Sequence, residues 1–393
     1  MRKGFTVVVA ITIPLASPGE ALSEQEIDEA FADFIVRYQK EYHSEAERNG
    51  RRGLFAETLM DVVAANEEHD EESGGSPPTV SGISSKYVAD INAFADLSAE
   101  EFTAGLLCGA PISTPTINLT NISYRAPPNL SDLPESVDWV AAGAVGPVRN
   151  QLNCGCCYAI QAASRIIIYS APSWVEQFVF LAAMAEGRFQ IKTGIKPLIP
   201  FSVQQIVDCS KSAGNNGCEG GLVTHTWVYI QTQGIVKESA YPYTAKDGKC
   251  KDSVVTSPAN QCLADHDVVG WRGILPEDEP SLRAAVAEGP VSVRVHASSS
   301  RFRNYRFGVM TTKECGEGNL NHAITIIGYG KTPEGVTYWK VLNSWGPTWG
   351  EDGIGYVERI TPGYPRGPCA IMKDPGLYPV FADNIKATAC IKR

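Results

Sequence analysis

Apolar positions change their rhythm several times along the 393 residues of this chain. Phe5 to Ala16 is an almost unbroken apolar run behind Arg2 and Lys3, with small residues at Gly19 and Ala21. A cationic start, a short apolar stretch and small residues predict a secretory signal peptide over residues 1–21, too short to span a membrane. From 22 to 107 charge dominates, and apolar residues return every third or fourth position. Phe31, Phe34, Ile35 and Tyr38 form one helical stripe, and Ser23 with Glu26 has the spacing of a capping box. The same period predicts a second helix from about Ser44 to Asn66, followed by a loop of acidic, Ser, Gly and Pro residues over 69–82. Residues 108–132 lose periodicity: Pro, Ser, Thr and Asn prevail, as in a linker.

From Leu133 glycine becomes frequent, and all seven tryptophans follow. Helical patterns prevail to about Gln233 and short β-rich runs afterwards, which predicts an α+β fold. Val291 to Val295 alternates as a strand does, and Ala323 to Tyr329 and Tyr338 to Leu342 read as buried strands. No later apolar run reaches transmembrane length, and no internal repeat is visible.

Composition narrows the setting. A hydrophobic content of 44% with 20% charged residues is that of a globular protein. The net charge of -10 and the lack of a basic block argue against nucleic acid as a partner. Eleven cysteines suit an oxidising compartment, and the odd number leaves a thiol over if the rest pair within the chain. Asn118, Asn121 and Asn129 head glycosylation sequons within the linker.

The densest chemistry lies in Asn150-Gln-Leu-Asn-Cys-Gly-Cys-Cys-Tyr-Ala-Ile160. Cys157 opens an apolar, helical stretch, where the positive end of the helix dipole lowers a thiol pKa and makes it a candidate nucleophile. Such a nucleophile needs a base. His322, in Gly318-Asn-Leu-Asn-His-Ala-Ile-Thr-Ile-Ile-Gly-Tyr-Gly330, stands at the mouth of an apolar strand, where it can face a cleft; His225, His266 and His296 compete with it. The base needs an orienting partner. Asn343, in Leu342-Asn-Ser-Trp-Gly346, can accept the imidazole proton without adding charge, with Trp345 shielding the bond. Acyl transfer also needs oxyanion donors, and the Gln151 amide with the Cys157 N–H offers two.

Gln151, the Cys-Gly-x-Cys run ending at Cys157, Asn321-His322-Ala323 and Asn343-Ser344-Trp345-Gly346 stand in the order of the papain-like cysteine peptidases, and the chain resembles that family from Leu133 to Val380. Upstream, Glu47, Arg51, Phe55, Val62 and Asn66 keep the spacing of the family's helical propeptide signature, with Thr58 replacing one Asn, and Asn92-Ala-Phe-Ala-Asp96 resembles its second propeptide motif. The likeness is to the cathepsin L-like subgroup. It implies catalytic Cys157, His322 and Asn343 with Gln151 in the oxyanion hole, and no metal or organic cofactor. It implies a helical left domain and a β-barrel-like right domain with a cleft between, and substrate contacts at Gly220, Gly221, Leu222 and Trp345. It further implies a self-inhibiting propeptide over 22–107, a processing linker over 108–132, a peptidase domain over 133–393, and disulfides Cys154–Cys218, Cys209–Cys250 and Cys315–Cys369. Cys108 would leave with the propeptide; Cys262 and Cys390 are expected to pair. The expected product is a monomeric endopeptidase acting on proteins or peptides, lysosomal or extracellular, and made as an inactive precursor.

The chain also departs from that pattern. Cys156 replaces a Ser and reads as a small buried side chain, because consecutive helical residues point in different directions. A zinc reading of Cys154, Cys156 and Cys157 lacks the usual second distant pair. Tyr158 replaces a Trp. The family's Glu-Gly pair follows its nucleophile by about three helical turns. Here Glu186-Gly187 begins 29 positions after Cys157. An insertion over about 164–184, carrying Ala171-Pro172 and the apolar stretch Trp174 to Ala183, is expected to interrupt the central helix. It reads either as a segment that loops out or as untrimmed intron sequence, and a helix broken this way would give an inactive, papain-fold binding protein as the alternative function. The specificity pocket should be floored near Lys373 or Asp374, where an acid would favour a basic side chain. Residues 381–393 form a tail beyond the usual family end.

Overall fold

The computed structural model describes residues 22–73, 83–107, 123–126, 129–146, 148–162, 184–316, 318–387 and 389–390. The predicted signal peptide, Asn118 and Asn121 fall outside them. The chain begins with helix α1 (Glu24–Arg37), capped by Ser23 and Glu26 in a complete capping box. Its apolar stripe, Ile27, Ala30, Phe31 and Phe34, is buried against helix α2 (Glu45–Ser73). Phe55 joins that core with its ring 5.3 Å from Phe31 and 4.9 Å from Phe34. Helix α2 runs seven residues beyond Asn66, into the segment expected to be a loop; residues 74–82 lie outside the described part.

Three polar signature residues of α2 hold neighbouring chain in place. Glu47 accepts from the His43 N–H at 2.7 Å. Arg51 grips the Glu101 carboxylate and donates to the Asp96 carbonyl at 3.0 Å. Asn66 makes two hydrogen bonds to the backbone of Ala89, 2.9 and 3.0 Å long, and so holds strand β1 (Val88–Ala89). Asp96 is bonded by Lys40 Nζ at 2.6 Å and Tyr42 Oη at 3.0 Å. Helix α3 (Ala99–Leu106) follows with a second capping box, Ser98 and Glu101.

Strand β2 (Ser123–Tyr124) falls in the segment expected to be a linker, and β3 (Val137–Asp138) follows. A helical half follows: α4 (Cys157–Ala162), α5 (Met184–Thr193), α6 (Val203–Cys209), α7 (Val223–Gln233), the short pair β4 (Ile235–Val236) and β5 (Gln261–Leu263), and α8 (Asp252–Val255) between them. Helix α4 packs on α5, α6 and α7. Residues 163–183, nearly all of the expected insertion, lie outside the described part. Met184 does not belong to a loop: it opens α5 and is fully buried.

The β half contains β6 (Val268–Ile274), α9 (Glu279–Glu288), β7 (Val291–Val295), α10 (Ser300–Arg303), β8 (Tyr305–Phe307), β9 (Val309–Met310), α11 (Thr312–Cys315), β10 (His322–Lys331), β11 (Thr337–Leu342), β12 (Ile354–Glu358) and β13 (Gly376–Phe381). Among the described residues one sheet runs in the order β2-β6-β13-β7-β10-β11-β12-β9, with β3 paired to β10. The fold is therefore α+β, as the patterning predicts. Long β10 is buried along almost its whole length, which explains its continuous apolar sequence.

Four disulfides join described residues: Cys154–Cys218, Cys209–Cys250, Cys262–Cys390 and Cys315–Cys369. The Cys262–Cys390 bridge ties down the tail, which also docks through Asp267: its carboxylate accepts from the N–H groups of Lys386 at 2.6 Å and Ala387 at 3.0 Å.

Candidate active site

Cys157 occupies the first position of α4, as predicted. The turn before it is held by the Gly155 N–H, which donates to the Cys218 carbonyl at 2.8 Å beside the Cys154–Cys218 bridge. A Cβ on Gly155 would stand 2.8 Å from that carbonyl and 3.0 Å from the carbonyl of Leu107, so two chain segments cross here only because position 155 has no side chain. The sulfur of Cys157 is not a thiol in this structure: it is disulfide-bonded. Its neighbour Cys156 is a buried free thiol 2.8 Å from Tyr243 Oη, and burial pushes its pKa up to about 12. Cys156 is thus the small buried side chain that its position predicts.

His322 is the first residue of β10 and Asn343 follows the last residue of β11, so pairing of these two strands brings the predicted base and its predicted orienter together. His322 Nε2 lies 2.8 Å from Asn343 Oδ1. That oxygen also accepts from the Ser344 N–H at 2.7 Å, which fixes the amide. The imidazole is stacked on Trp345, centroids 4.6 Å apart at 27°. Only 1% of His322 is exposed, and burial lowers its pKa to about 4 against the opposing Asn343 bond. Its Nδ1 has no hydrogen-bond partner among the described residues. Helix α4 packs against β10, so the elements that begin with Cys157 and His322 adjoin.

Gln151 is fully buried and completely engaged. Its Oε1 accepts from Ser344 Oγ at 2.8 Å; its Nε2 donates to the Cys154 carbonyl at 3.1 Å and to the Leu106 carbonyl at 2.9 Å. Leu106 ends α3, so an oxygen of the N-terminal domain occupies the predicted oxyanion donor. Trp345 Nε1 donates to the same oxygen at 3.3 Å. The rings of Phe94 and Phe102 stand edge-on to Trp345 at 6.2 and 5.0 Å, and Arg303 lies 5.3 Å over Phe102. Further contacts clamp this domain down: β1 pairs antiparallel with β8, Tyr87 Oη donates to the Arg301 carbonyl at 2.7 Å, and Glu68 pairs with Arg301 and Lys313.

The sequence pattern did not single out Phe102 or Leu106. Phe102 and Leu106 are four apart on a short amphipathic helix, which was the available signal. Gly220, Gly221 and Leu222 are buried beside α7, and Gly221 has an internal reason to be glycine: a Cβ would come within 2.4 Å of Asn215 Oδ1. Near the expected specificity pocket, Asp374 is paired with Arg294 at 2.7 Å and Lys373 donates to the Gly318 carbonyl at 3.0 Å. The expected preference for a basic side chain therefore loses its free carboxylate. Asn129 is exposed and caps a short turn, its Oδ1 accepting from the Ser131 N–H at 3.1 Å. Glu186 meets Arg149 at 3.5 Å and accepts from the Phe201 N–H at 2.7 Å, while Gly187 lies against the Ala144 carbonyl.

Comparison with known proteins agrees with this geometry. The model for "Papain family cysteine protease" matches residues 133–170 and 178–376, leaving a gap inside the expected insertion, and that for "Cathepsin propeptide inhibitor domain" matches 31–102. Cysteine proteinase EP-B 1 of Hordeum vulgare is 34% identical over 390 residues, covering 98% of this chain and 93% of its own. A cathepsin L-like proteinase of Phaedon cochleariae is 32% identical over 341 residues, covering 86% and 90%. The solved structure of digestive procathepsin L 3 from Tenebrio molitor larval midgut superposes with a TM-score of 0.71 at 28% identity, covering 90% of this chain and 99% of that one. The chain belongs to the papain family of cysteine proteases and carries the inhibitory cathepsin propeptide that makes it a zymogen.

Proposed function

We propose that Cys157, His322, Asn343 and Gln151 carry the peptidase reaction, and that residues 22–107 hold the site closed until removed. The carrying observation is the Leu106 carbonyl on Gln151 Nε2 at 2.9 Å. A propeptide oxygen there fills the place where the oxyanion of a tetrahedral intermediate needs its donor.

Once the propeptide has left and Cys157 is a thiol, proton transfer from Cys157 to His322 Nδ1 gives a thiolate and an imidazolium. Asn343 steadies the imidazolium through Nε2, and Trp345 keeps water from that bond. The thiolate attacks the substrate carbonyl carbon; Gln151 Nε2 and the Cys157 N–H at the start of α4 receive the developing oxyanion. His322 donates its Nδ1 proton to the leaving amine. Water, deprotonated by the same nitrogen, then hydrolyses the thioester. No metal or cofactor is required. Protein or peptide substrates, a monomeric mature enzyme, and a secreted or lysosomal setting complete the reading; four disulfides among the described residues suit that setting. No helix among the described residues is long and apolar enough to cross a membrane.

The test is turnover of a fluorogenic peptide by the full chain after acidification with a reductant present. Cys157→Ala should abolish it. Gln151→Ala should lower kcat by about 10²–10³, the usual cost of one oxyanion donor. Persistence of activity in Cys157→Ala would overturn the assignment.

A further inference from the structure

The two groups proposed to receive the oxyanion belong to separate turns of chain, and one hydroxyl touches both turns. Tyr243 Oη donates to the backbone carbonyl of Gln151 at 2.9 Å and stands 2.8 Å from Cys156 Sγ. A phenol carries a single hydrogen, and a carbonyl can only accept. That hydrogen is therefore committed to Gln151, and the Cys156 thiol donates to the phenol oxygen. The order runs from Cys156 S–H to Tyr243 O–H to the Gln151 carbonyl, and it holds only while both donors keep their protons. Burial ensures this: it pushes the Cys156 thiol up to about 12 and the Tyr243 phenol well above its ordinary value.

Each end of this relay bears on one oxyanion donor. Cys156 precedes α4, and its carbonyl accepts from the N–H groups of Ala159 at 2.9 Å and Ile160 at 3.0 Å. The same planar peptide carries the Cys157 N–H, which points the opposite way, back out of the helix start. A bond that fixes the Cys156 side chain thus steadies the aim of that donor. At the other end the backbone is strained. Leu152 is left-handed, with a φ of +53°, a conformation that a residue with a side chain keeps only where its surroundings hold it. The peptide joining Gln151 to Leu152 is held at its carbonyl by Tyr243 and at its N–H by Asn150 Oδ1, 2.9 Å away. Tyr243 is itself braced, its N–H donating to Glu238 Oε1 at 2.8 Å.

We propose that Tyr243 is a positioning residue for the peptidase reaction, its hydroxyl setting the spacing between the Gln151 amide and the Cys157 N–H. The inference rests on those two groups being the oxyanion donors. Tyr243 acts through Gln151 and Cys156, and Cys156 thereby gains a task beyond filling space. The oxyanion exists only after the thiolate has added to the carbonyl, so a loosened pair of donors lowers kcat and leaves KM largely alone.

The test uses full-length protein activated by acid with reductant present, its sites counted with a thiol-directed peptide epoxide so that kcat is expressed per reactive Cys157. Tyr243→Phe keeps the ring and removes the hydroxyl. Its kcat should fall about tenfold, less than the 10²–10³ that outright loss of an oxyanion donor costs, with KM within about twofold of wild type. In a Gln151→Ala background the same change should cost at most about threefold more, because one of its two targets is gone. Cys156→Ser keeps an O–H donor and should retain more kcat than Cys156→Ala. Wild-type kcat per site in Tyr243→Phe, with fewer sites titrated, would show a purely structural tyrosine and overturn the proposal; so would an equal loss in both Gln151 backgrounds. If Tyr243→Phe yields no titratable protein, the Cys156 pair decides, and equal kcat in its two variants would overturn the proposal. Gln151→Ala at wild-type kcat would instead refute the oxyanion reading itself, and the positioning role with it.

Discussion

The buried state of His322 makes a quantitative prediction about acid. The imidazole sits beneath Trp345 with one hydrogen bond, to Asn343, and burial brings its pKa from 6.5 to about 4. A base with a lowered native pKa binds its proton in the unfolded chain first. Between the two pKa values the unfolded or opened state takes up a proton that the closed state refuses, so stability is full above pH 6.5 and drains away as pH falls towards 4. The gap of about 2.5 pH units corresponds to about 3 kcal/mol at 1.36 kcal/mol per unit. The perturbation is a pH titration of the Cys157→Ala precursor, which cannot turn over. NMR follows the imidazole resonances, and the one missing from Cys157→Ala/His322→Gln is His322. Its midpoint should fall near 4 in the closed protein and near 6.5 in denaturant. Denaturant unfolding should show the single variant losing about 3 kcal/mol more than the double variant across that window. A His322 midpoint at 6.5 or higher in the closed precursor, or the same loss in both variants, would refute the reasoning.

Three further expectations concern the clamp and the core. Phe102→Ala removes a buried ring packed between Trp345 and Arg303; it should weaken propeptide docking by about 3–5 kcal/mol and raise the pH at which the propeptide releases, and an unchanged release pH would contradict this. Glu68 is held down to about 2 by Lys313 and Arg301, so its contribution is present above its ordinary 4.5 and is lost only as pH falls towards 2. Glu68→Gln should therefore speed release throughout about pH 4–7, more at low salt than at high, as followed by inhibitor-displacement kinetics. In Gly187→Ala the new methyl would stand 2.3 Å from the Ala144 carbonyl and 3.1 Å from Pro290; a cost of about 1–3 kcal/mol should lower Tm, and an unchanged Tm would show that the backbone yields.

Local and covalent chemistry was readable in the chain itself. The capping box at Ser23 and Glu26, the strand at Val291 to Val295, and the helix start at Cys157 depend on residue type and short-range spacing. Three disulfide pairings followed from family likeness, and the fourth, Cys262 with Cys390, was expected from what remained. Contacts between residues far apart in sequence were decided by the tertiary structure. Leu106 lies 45 positions from Gln151 and 239 from Trp345, yet its carbonyl meets both side chains. No periodicity marks an oxygen as a stand-in for a substrate. The lowered pKa of His322 comes from burial, with the imidazole stacked on Trp345. Residue type placed Lys373 or Asp374 near the expected pocket floor, but only the fold pairs Asp374 with Arg294. Thus the residue types set which reaction is possible, while long-range packing, which alone fixes distance, burial and charge partners, set the chain in its closed state.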